Sequence, residues 1–439
     1  MRYDAIIIGS GAAGYYFAIA SERMGKRVAL IERDVVGGTA FATGCLPVKR
    51  HLENLKVYKR FLNSFEKYTS NFEIDGEKLF KSGKQKANLI DEELKKRLDN
   101  TRIDMIFGEA ELVGGNKVKV DDTLLEGERI ILATGTKAST LSSWSEIDES
   151  AILSHAGALK LAKLPEEIVI LGANVEGIEF ASMFSTMGVK VKVIEQEDHI
   201  LKGNDRDLVN PIENELLKND VELLLNTRAK SIERKADRVL ITLDSGKIIE
   251  TNKILITGIR TPNIPKCNGV DLDLENGFIK TDKNLETSIK NIFAIGDING
   301  RHGMAHIAIQ QAIMLSDYLW NSGKIKFEYE TLPCAMFTIP ELAGAGWQEN
   351  QHENSHSVSI DFNETIRSGV KGKLKLVLDG SIVKGAWMSG LFASDYMGQV
   401  SLWIDEGLSL DKFKEKLWIH PTIGESFLEC AIKREGVSR

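Results

Sequence analysis

The sequence predicts an α/β protein built on two Rossmann-like dinucleotide-binding segments, and three observations carry that expectation. The first is a complete GxGxxG, Gly9-Ser10-Gly11-Ala12-Ala13-Gly14, set between an apolar strand and a helical stretch. The second is a related turn, Gly172-Ala173-Asn174-Val175-Glu176-Gly177, in the same strand-turn-helix setting. The third is an acid closing the next strand in each case, Glu32 and Glu195, about twenty residues beyond the turn.

Residues 3 to 32 read as strand Tyr3 to Gly9, helix Gly11 to Met24 and strand Arg27 to Glu32. Gly9 makes the tight turn, Gly11 lets the backbone approach a pyrophosphate, and Gly14 lets the helix pack closely on the strand. The helix N-terminus offers N–H groups and a positive dipole end to phosphates, and Glu32 can accept hydrogen bonds from a ribose diol. Next comes Gly37-Gly38-Thr39-Ala40-Phe41-Ala42-Thr43-Gly44-Cys45-Leu46-Pro47-Val48-Lys49, where a lone cysteine follows a glycine-rich turn. From His51 to Asn100 the chain is charged and helical in period, with Leu55, Tyr58, Leu62 and Phe65 recurring at threes and fours. The basic residues Lys81, Lys84, Lys86, Lys95, Lys96 and Arg97 are interleaved with acids and read as a solvated helix face. Short strands follow to Ile131 and end at Ala133-Thr134-Gly135-Thr136.

The second fingerprint runs from strand Ile168 to Leu171, through a helix reaching Met187, to strand Lys190 to Ile194. Asn174 stands where the middle glycine would sit, so its side chain must point away from the phosphates or narrow their approach. Glu195 favours the free 2′-hydroxyl of NAD over the 2′-phosphate of NADP, which makes NADH the expected nucleotide. Beyond it lie Gly258-Ile259-Arg260-Thr261-Pro262-Asn263 and an apolar strand, Ile292 to Ile295, that runs into Gly296-Asp297. An aspartate at that strand end can accept hydrogen bonds from a polyhydroxylated chain. From about Phe327 the sequence turns β-rich, with a helix near Ser394 to Asp405 and then Trp418-Ile419-His420-Pro421-Thr422-Ile423-Gly424-Glu425.

At 439 residues the chain is long enough for two to four domains of roughly 100–200 residues. Hydrophobic residues at 43% and charged ones at 27%, with no apolar run of spanning length, point to a globular protein without a transmembrane helix. The N-terminus enters its first strand without the features of a secretory signal, so a cytoplasmic location is expected. A net charge of −7 and a pI near 5.8 argue against nucleic-acid or anionic-membrane partners and fit a small-molecule substrate. The four cysteines, Cys45, Cys267, Cys334 and Cys430, are far apart, so neither a disulfide framework nor a metal site is indicated.

Two fingerprints, a cysteine segment after the first, a Gly-Asp after the second and His-Pro-Thr-x-x-Glu near the end resemble the pyridine nucleotide-disulfide oxidoreductases, in order and along the whole chain. That family includes dihydrolipoamide dehydrogenase, glutathione reductase and mercuric reductase. The resemblance implies two Rossmann-like dinucleotide-binding domains plus a C-terminal α+β dimerisation domain. FAD would occupy residues 1–143 and 264–325, NAD residues 144–263, and residues 326–439 would form the interface of a homodimer. It assigns Gly9, Gly11, Gly14, Glu32 and Asp297 to FAD and Gly172, Gly177 and Glu195 to the nicotinamide dinucleotide. Gly38, Thr39, Thr134, Gly135, Arg260 and Ala305 join them as cofactor-binding positions. Lys49 and Glu179 match the pair that sits beside the flavin ring near N5, where a buried cation needs its acid. His420 and Glu425 match the acid-base pair that enters the neighbouring subunit's active site, after a His-Pro bond expected to be cis.

One departure stands out. The family's redox pair is Cys-x-x-x-x-Cys, and here the first position is Ala40 while the second is Cys45. By the resemblance Cys45 is the flavin-proximal thiol, and the missing one is the interchange thiol that attacks a substrate disulfide. A methyl group cannot do this. Cys430, ten residues past His420 and up to about 15 Å along a helix, is no substitute. Cys267 and Cys334 read as small buried hydrophobes, and the tail Gly436-Val437-Ser438-Arg439 lacks the cysteine pair of a mercuric reductase. The expected function is an FAD-dependent NADH oxidoreductase that reduces a thiol-reactive small substrate through a single-cysteine centre. The alternatives are a diaphorase or oxidase acting on quinone or oxygen, a dithiol enzyme of the dihydrolipoamide dehydrogenase type with a Cys-to-Ala change at Ala40, and a non-enzymatic flavin-binding redox sensor.

Overall fold

The computed structural model describes residues 2–65, 68, 74–327, 329, 331–349, 351–362 and 371–437, apart from the side chains of 63, 84–88 and 434–437. The side chains of Lys84 and Lys86 and those of the tail from Gly436 to Arg439 therefore lie outside the described residues. The chain divides into two compact units. One comprises Met1–Val48, Phe80–Ala162 and Gly258–Phe327, the other Lys49–Leu79, Lys163–Thr257 and Glu328–Arg439.

The first unit is organised on the strand Arg2–Ile8, which pairs in parallel with Val28–Glu32 on one side and Thr123–Leu132 on the other. Asp104–Phe107 extends the sheet beyond Val28–Glu32, and Ile292–Ala294 joins Thr123–Leu132 in parallel. The run from Ala5 to Ile8 is apolar at every position because both faces of this sheet are covered. Side chains alternate between two cores: Ala5 and Ile7 face one, while Ile6 and Ile8 face the other. The first core is closed by helices Ala12–Arg23 and Ala305–Asn321, and the second by Ala110–Leu112 and Lys117–Val120, which pair antiparallel.

In the second unit Glu222–Leu224, Lys190–Ile194, Glu167–Leu171 and Ile254–Ile256 lie side by side in parallel. The helix Val175–Thr186 follows the central strand, repeating the strand-turn-helix of the first unit. Residues beyond Glu328 form an antiparallel sheet in the order Cys334–Met336, Glu341–Gly346, Ile382–Gly390, Gly372–Asp379 and Ser355–Phe362. Helices Met397–Asp405 and Glu425–Val437 cover it, with Trp403, Phe413, Trp418 and Phe427 meeting at edge and stacked angles. The helix expected from Ser394 begins at Met397 because Ala393–Tyr396 winds more tightly, as a 3-10 turn.

Candidate active site

In the first unit the GxGxxG turn has the geometry its glycines suggest. Gly9 sits at φ +100°, and a Cβ on Gly14 would lie 1.9 Å from the Gly9 carbonyl oxygen. A Cβ on Gly11, by contrast, would meet nothing within 4 Å, so open space lies over the helix N-terminus. Gly38, at φ +51°, approaches the Gly11 Cα so closely that its own Cβ would stand 3.1 Å away. Glu32 ties the turn down: Oε2 accepts from the N–H and hydroxyl of Ser10 at 2.9 and 2.7 Å, and Oε1 from the N–H groups of Arg33 and Asp34. Thr134 borders Gly9, and its buried hydroxyl has no partner among the described residues, while Gly135 beyond it is open at φ +64°. A bare glycine over a helix N-terminus beside an orphaned hydroxyl fits the phosphate and ribose groups of a bound dinucleotide.

Asp297 and Arg260 meet through a residue the sequence did not single out. Arg260 Nε donates to the Thr136 hydroxyl at 2.7 Å, and that hydroxyl donates to Asp297 Oδ2 at 3.2 Å. Burial pushes the Asp297 carboxyl up from its ordinary value, with Arg260 and Thr136 pulling the other way. The fully buried Gln311, on the helix that Ala305 opens, fixes the Gly296 turn by accepting from Gly296 N–H at 2.7 Å.

The cysteine segment folds as a π-helical turn, Thr39–Thr43, followed by the helix Cys45–Phe65. Such turns recur at functional sites. Ala40 and Phe41 pack against the first unit's core, so the Ala40 methyl has an apolar setting of its own. Cys45 is half-buried, and none of the four cysteines forms a disulfide. His155, which the sequence did not flag, packs against this segment: a Cβ on Gly44 would come within 3.3 Å of its ring.

Lys49 follows one turn after Cys45 on the same helix and, with both residues in the second unit, is paired with Glu179. Glu179 is almost wholly buried and also accepts from the Phe337 N–H at 2.9 Å. The Phe337 ring lies 5.3 Å from the Lys49 ammonium and 5.4 Å from that of Lys56, which pairs with buried Glu341. Phe337 and Lys56 were missed in the sequence, although Lys56 stands seven residues from Lys49 and so on the same helix face.

The second fingerprint keeps the close approach of the first, since a Cβ on Gly177 would lie 1.9 Å from the Gly172 carbonyl oxygen. Glu195 accepts from Ala173 N–H at 2.6 Å and from Glu197 N–H at 3.0 Å. The Asn174 side chain turns back onto its own helix and caps it, Oδ1 accepting from Gly177 N–H at 3.2 Å.

Near the C-terminus His420 is followed by a cis proline bond, and its Nδ1 lies 2.9 Å from Glu425 Oε1. The Thr422 N–H on Oε2 and then His420 hold the Glu425 carboxyl below its ordinary range. The His420 side chain is 79% exposed, leaving its other nitrogen accessible. Cys267 overturns its expectation: it is exposed, because it lies on the short strand Lys266–Cys267 at the rim of the first unit's sheet. Cys334 is only partly buried, its thiol pushed by burial to about 11, and Cys430 is fully buried with its thiol at about 12. Among the described residues no group of three or more acids, histidines and cysteines is placed to hold a metal ion, and no helix is long and apolar enough to cross a membrane.

Known proteins share this fold. Residues 3–312 match the pyridine nucleotide-disulphide oxidoreductase family and residues 332–431 its dimerisation domain. A dihydrolipoyl dehydrogenase of Chlamydia pneumoniae is 30% identical over 98% of this chain and 96% of its own, and one of Bacillus subtilis is 27% identical over 98% and 95%. Among solved structures, the HOCl-induced flavoprotein disulfide reductase RclA of Escherichia coli superposes with a TM-score of 0.87 at 25% identity, covering 98% of this chain and 99% of RclA. LpdA of Mycobacterium tuberculosis, at 22% identity and 99% coverage of both chains, shares the fold with a TM-score of 0.87. The two Rossmann-like halves and the C-terminal sheet thus define a flavin- and pyridine-nucleotide-dependent oxidoreductase. The chain belongs to the pyridine nucleotide-disulphide oxidoreductase family.

Proposed function

We propose that this protein is an NADH-dependent reductase of a small, thiol-reactive substrate that works through Cys45 alone. The observation that carries the reading is a complete Lys49–Glu179 pair standing one helical turn from a redox segment with Cys45 present and Ala40 in place of the second thiol. FAD, when bound, supplies a two-electron store between nicotinamide and thiol. Gly9, Gly11, Gly14, Glu32, Gly38, Thr39, Thr134, Gly135, Arg260, Asp297 and Ala305 would hold it in a domain of residues 1–143 and 264–325. Gly172, Gly177 and Glu195, within residues 144–263, would take the nicotinamide dinucleotide, and Glu195 selects the unphosphorylated ribose.

The Cys45 thiolate attacks one sulfur of a small disulfide, forming a mixed disulfide and expelling the first product thiolate. Reductive cleavage of that bond by two electrons restores the Cys45 thiolate and frees the second product. Residues 326–439 would place His420 in the partner's site, with Glu425 on Nδ1 and the other ring nitrogen protonating the leaving thiolate. The dimerisation-domain match and the exposure of Leu417 and Ile419, at 103% and 78%, support a homodimer, and a reducing cytoplasm suits a solitary thiol.

Anaerobic titration of the flavin-loaded protein with NADH tests the reading. Bleaching is expected at about one NADH per flavin, because no internal disulfide stores a second pair of electrons. An end point near two, with long-wavelength absorbance midway, overturns it. Direct transfer from flavin to a quinone is the second reading, favoured by the same Ala40. Cys45→Ser separates the two: disulfide turnover is expected to vanish, and undiminished disulfide turnover would mean that Cys45 takes no part.

A further inference from the structure

We propose that Asn174 is a built-in latch on the second fingerprint, weakening nicotinamide dinucleotide binding until its side chain swings out. The inference rests on the reading of this fingerprint as the nicotinamide site. It comes from setting the two turns side by side. Their backbones match at this position, Gly11 at φ −62°, ψ −175° and Asn174 at φ −74°, ψ −179°. Over Gly11 the space is open, and that helix has no side-chain cap. Over the second helix the Asn174 amide occupies the approach. Its Oδ1 takes the Gly177 N–H at 3.2 Å, one of the few N–H groups a pyrophosphate can use. Its Nδ2 donates to the Thr257 hydroxyl at 3.0 Å, and that hydroxyl donates in turn to the Leu171 carbonyl at 2.6 Å.

Thr257 is itself a matched change. It follows the neighbouring strand as Ala133 does in the first unit: Ala133 N–H donates to Ile8 O at 2.8 Å, and Thr257 N–H to Leu171 O at 3.1 Å. Where the first fingerprint has glycine and alanine, the second has asparagine and threonine, joined by a hydrogen bond. The amide and the Thr257 hydroxyl both lie close over Gly172, where an added Cβ would stand 2.8 Å from each. A dinucleotide that approaches as closely as one can over Gly11 must displace the amide and both of its hydrogen bonds. NAD affinity is therefore set by Asn174 and Thr257 as well as by Glu195.

The test is equilibrium titration of the flavin-loaded protein with NAD+, which binds without reducing the flavin, followed by tryptophan fluorescence. Asn174→Gly is expected to tighten binding about tenfold, and glycine is tolerated at an N-cap with little loss of stability. Thr257→Val, which removes only the anchor, is expected to give a smaller gain that adds nothing in the double variant. In turnover, N174G is expected to lower the KM for NADH about tenfold. Equal or weaker NAD+ binding by N174G, with Glu195→Ala still weakening it, overturns the latch. Indifference of NAD+ binding to E195A instead overturns the nicotinamide reading on which the latch rests.

Discussion

The two fingerprints are built alike at the third glycine and the closing acid, and differently at the middle glycine and two residues beyond the third. The third glycine of each, Gly14 and Gly177, would put a Cβ 1.9 Å from the carbonyl oxygen of the first glycine. In each an acid at the end of the next strand holds the turn by a backbone N–H, Ser10 to Glu32 at 2.9 Å and Ala173 to Glu195 at 2.6 Å. The middle positions diverge, Gly11 against Asn174, as do the residues two beyond the third glycine, Tyr16 against Glu179. The third glycine answers to packing of helix on strand, whereas a Cβ at the middle glycine of the first turn meets nothing, so packing does not demand glycine there.

The largest expected effect separates Tyr16 from Glu179. Glu179→Leu strands the Lys49 ammonium and leaves the Phe337 N–H without its acceptor. Breaking such a pair costs about 3–5 kcal/mol in full burial, and about 2–4 kcal/mol is expected here because Lys49 is partly solvated. Tyr16→Leu, an apolar swap at the partial edge of the first core, is expected to cost about 1 kcal/mol or less. Urea denaturation of the two variants reads the difference, and equal losses would show that the Glu179 pair holds the fold no more firmly than an edge aromatic does.

The units also differ in their response to pH. Burial holds His51, in the second unit, down from its ordinary 6.5 to about 4. Between those values the unfolded chain binds a proton that the folded chain refuses. Its stabilisation is therefore present above pH 6.5 and is lost as pH falls toward about 4, up to roughly 3 kcal/mol. Asp297, in the first unit, has the opposite sign. Its raised pKa favours the folded state below the ordinary 3.8, an advantage lost as pH rises through the raised value. Hydrogen exchange at pH 7 and pH 5 is expected to loosen the second unit first, and His51→Leu to remove most of that dependence.

How much of this the sequence showed follows from what each feature depends on. Glycine turns and their closing acids were legible because they answer to local backbone geometry, which a motif records residue by residue. Phe337 was not, since it holds Glu179 through a main-chain N–H, which any residue but proline could supply, from 158 positions away. Asn174 was legible as an anomaly, but the direction of its amide depends on Thr257, 83 residues further on. The π-helical turn around Ala40 left no periodicity to read, and Cys267 was misplaced because a cysteine's usual burial says nothing about a two-residue strand at a sheet rim.

The shared and divergent glycines can be set against each other directly. Gly14→Ala and Gly177→Ala are each expected to cost about 1–3 kcal/mol, alike within error, because the same carbonyl must move. Gly11→Ala is expected to leave the melting temperature of the flavin-free chain almost unchanged, since its Cβ enters open space, while FAD dissociates faster. A large drop in the stability of the flavin-free G11A chain would show that the middle glycine also serves the fold.

The smallest effect lies one residue earlier, at Ser10 against Ala173. Among the described residues Glu32 carries four hydrogen bonds, two from Ser10 and one each from Arg33 and Asp34, which fill the lone pairs of both oxygens. Glu195, opposite Ala173, accepts from two backbone N–H groups among the described residues and keeps capacity for a ribose diol. A ribose reaching Glu32 must therefore displace a donor, and the Ser10 hydroxyl is the only one of the four that can rotate away. Ser10→Ala removes that competitor along with one buried hydrogen bond, at a stability cost of about 1 kcal/mol. FAD dissociation, followed by flavin fluorescence after dilution, is expected to be unchanged or slower. Faster release would mean instead that the hydroxyl holds the carboxylate in the rotamer the ribose needs, and the two acids would then meet their ribose groups in different ways.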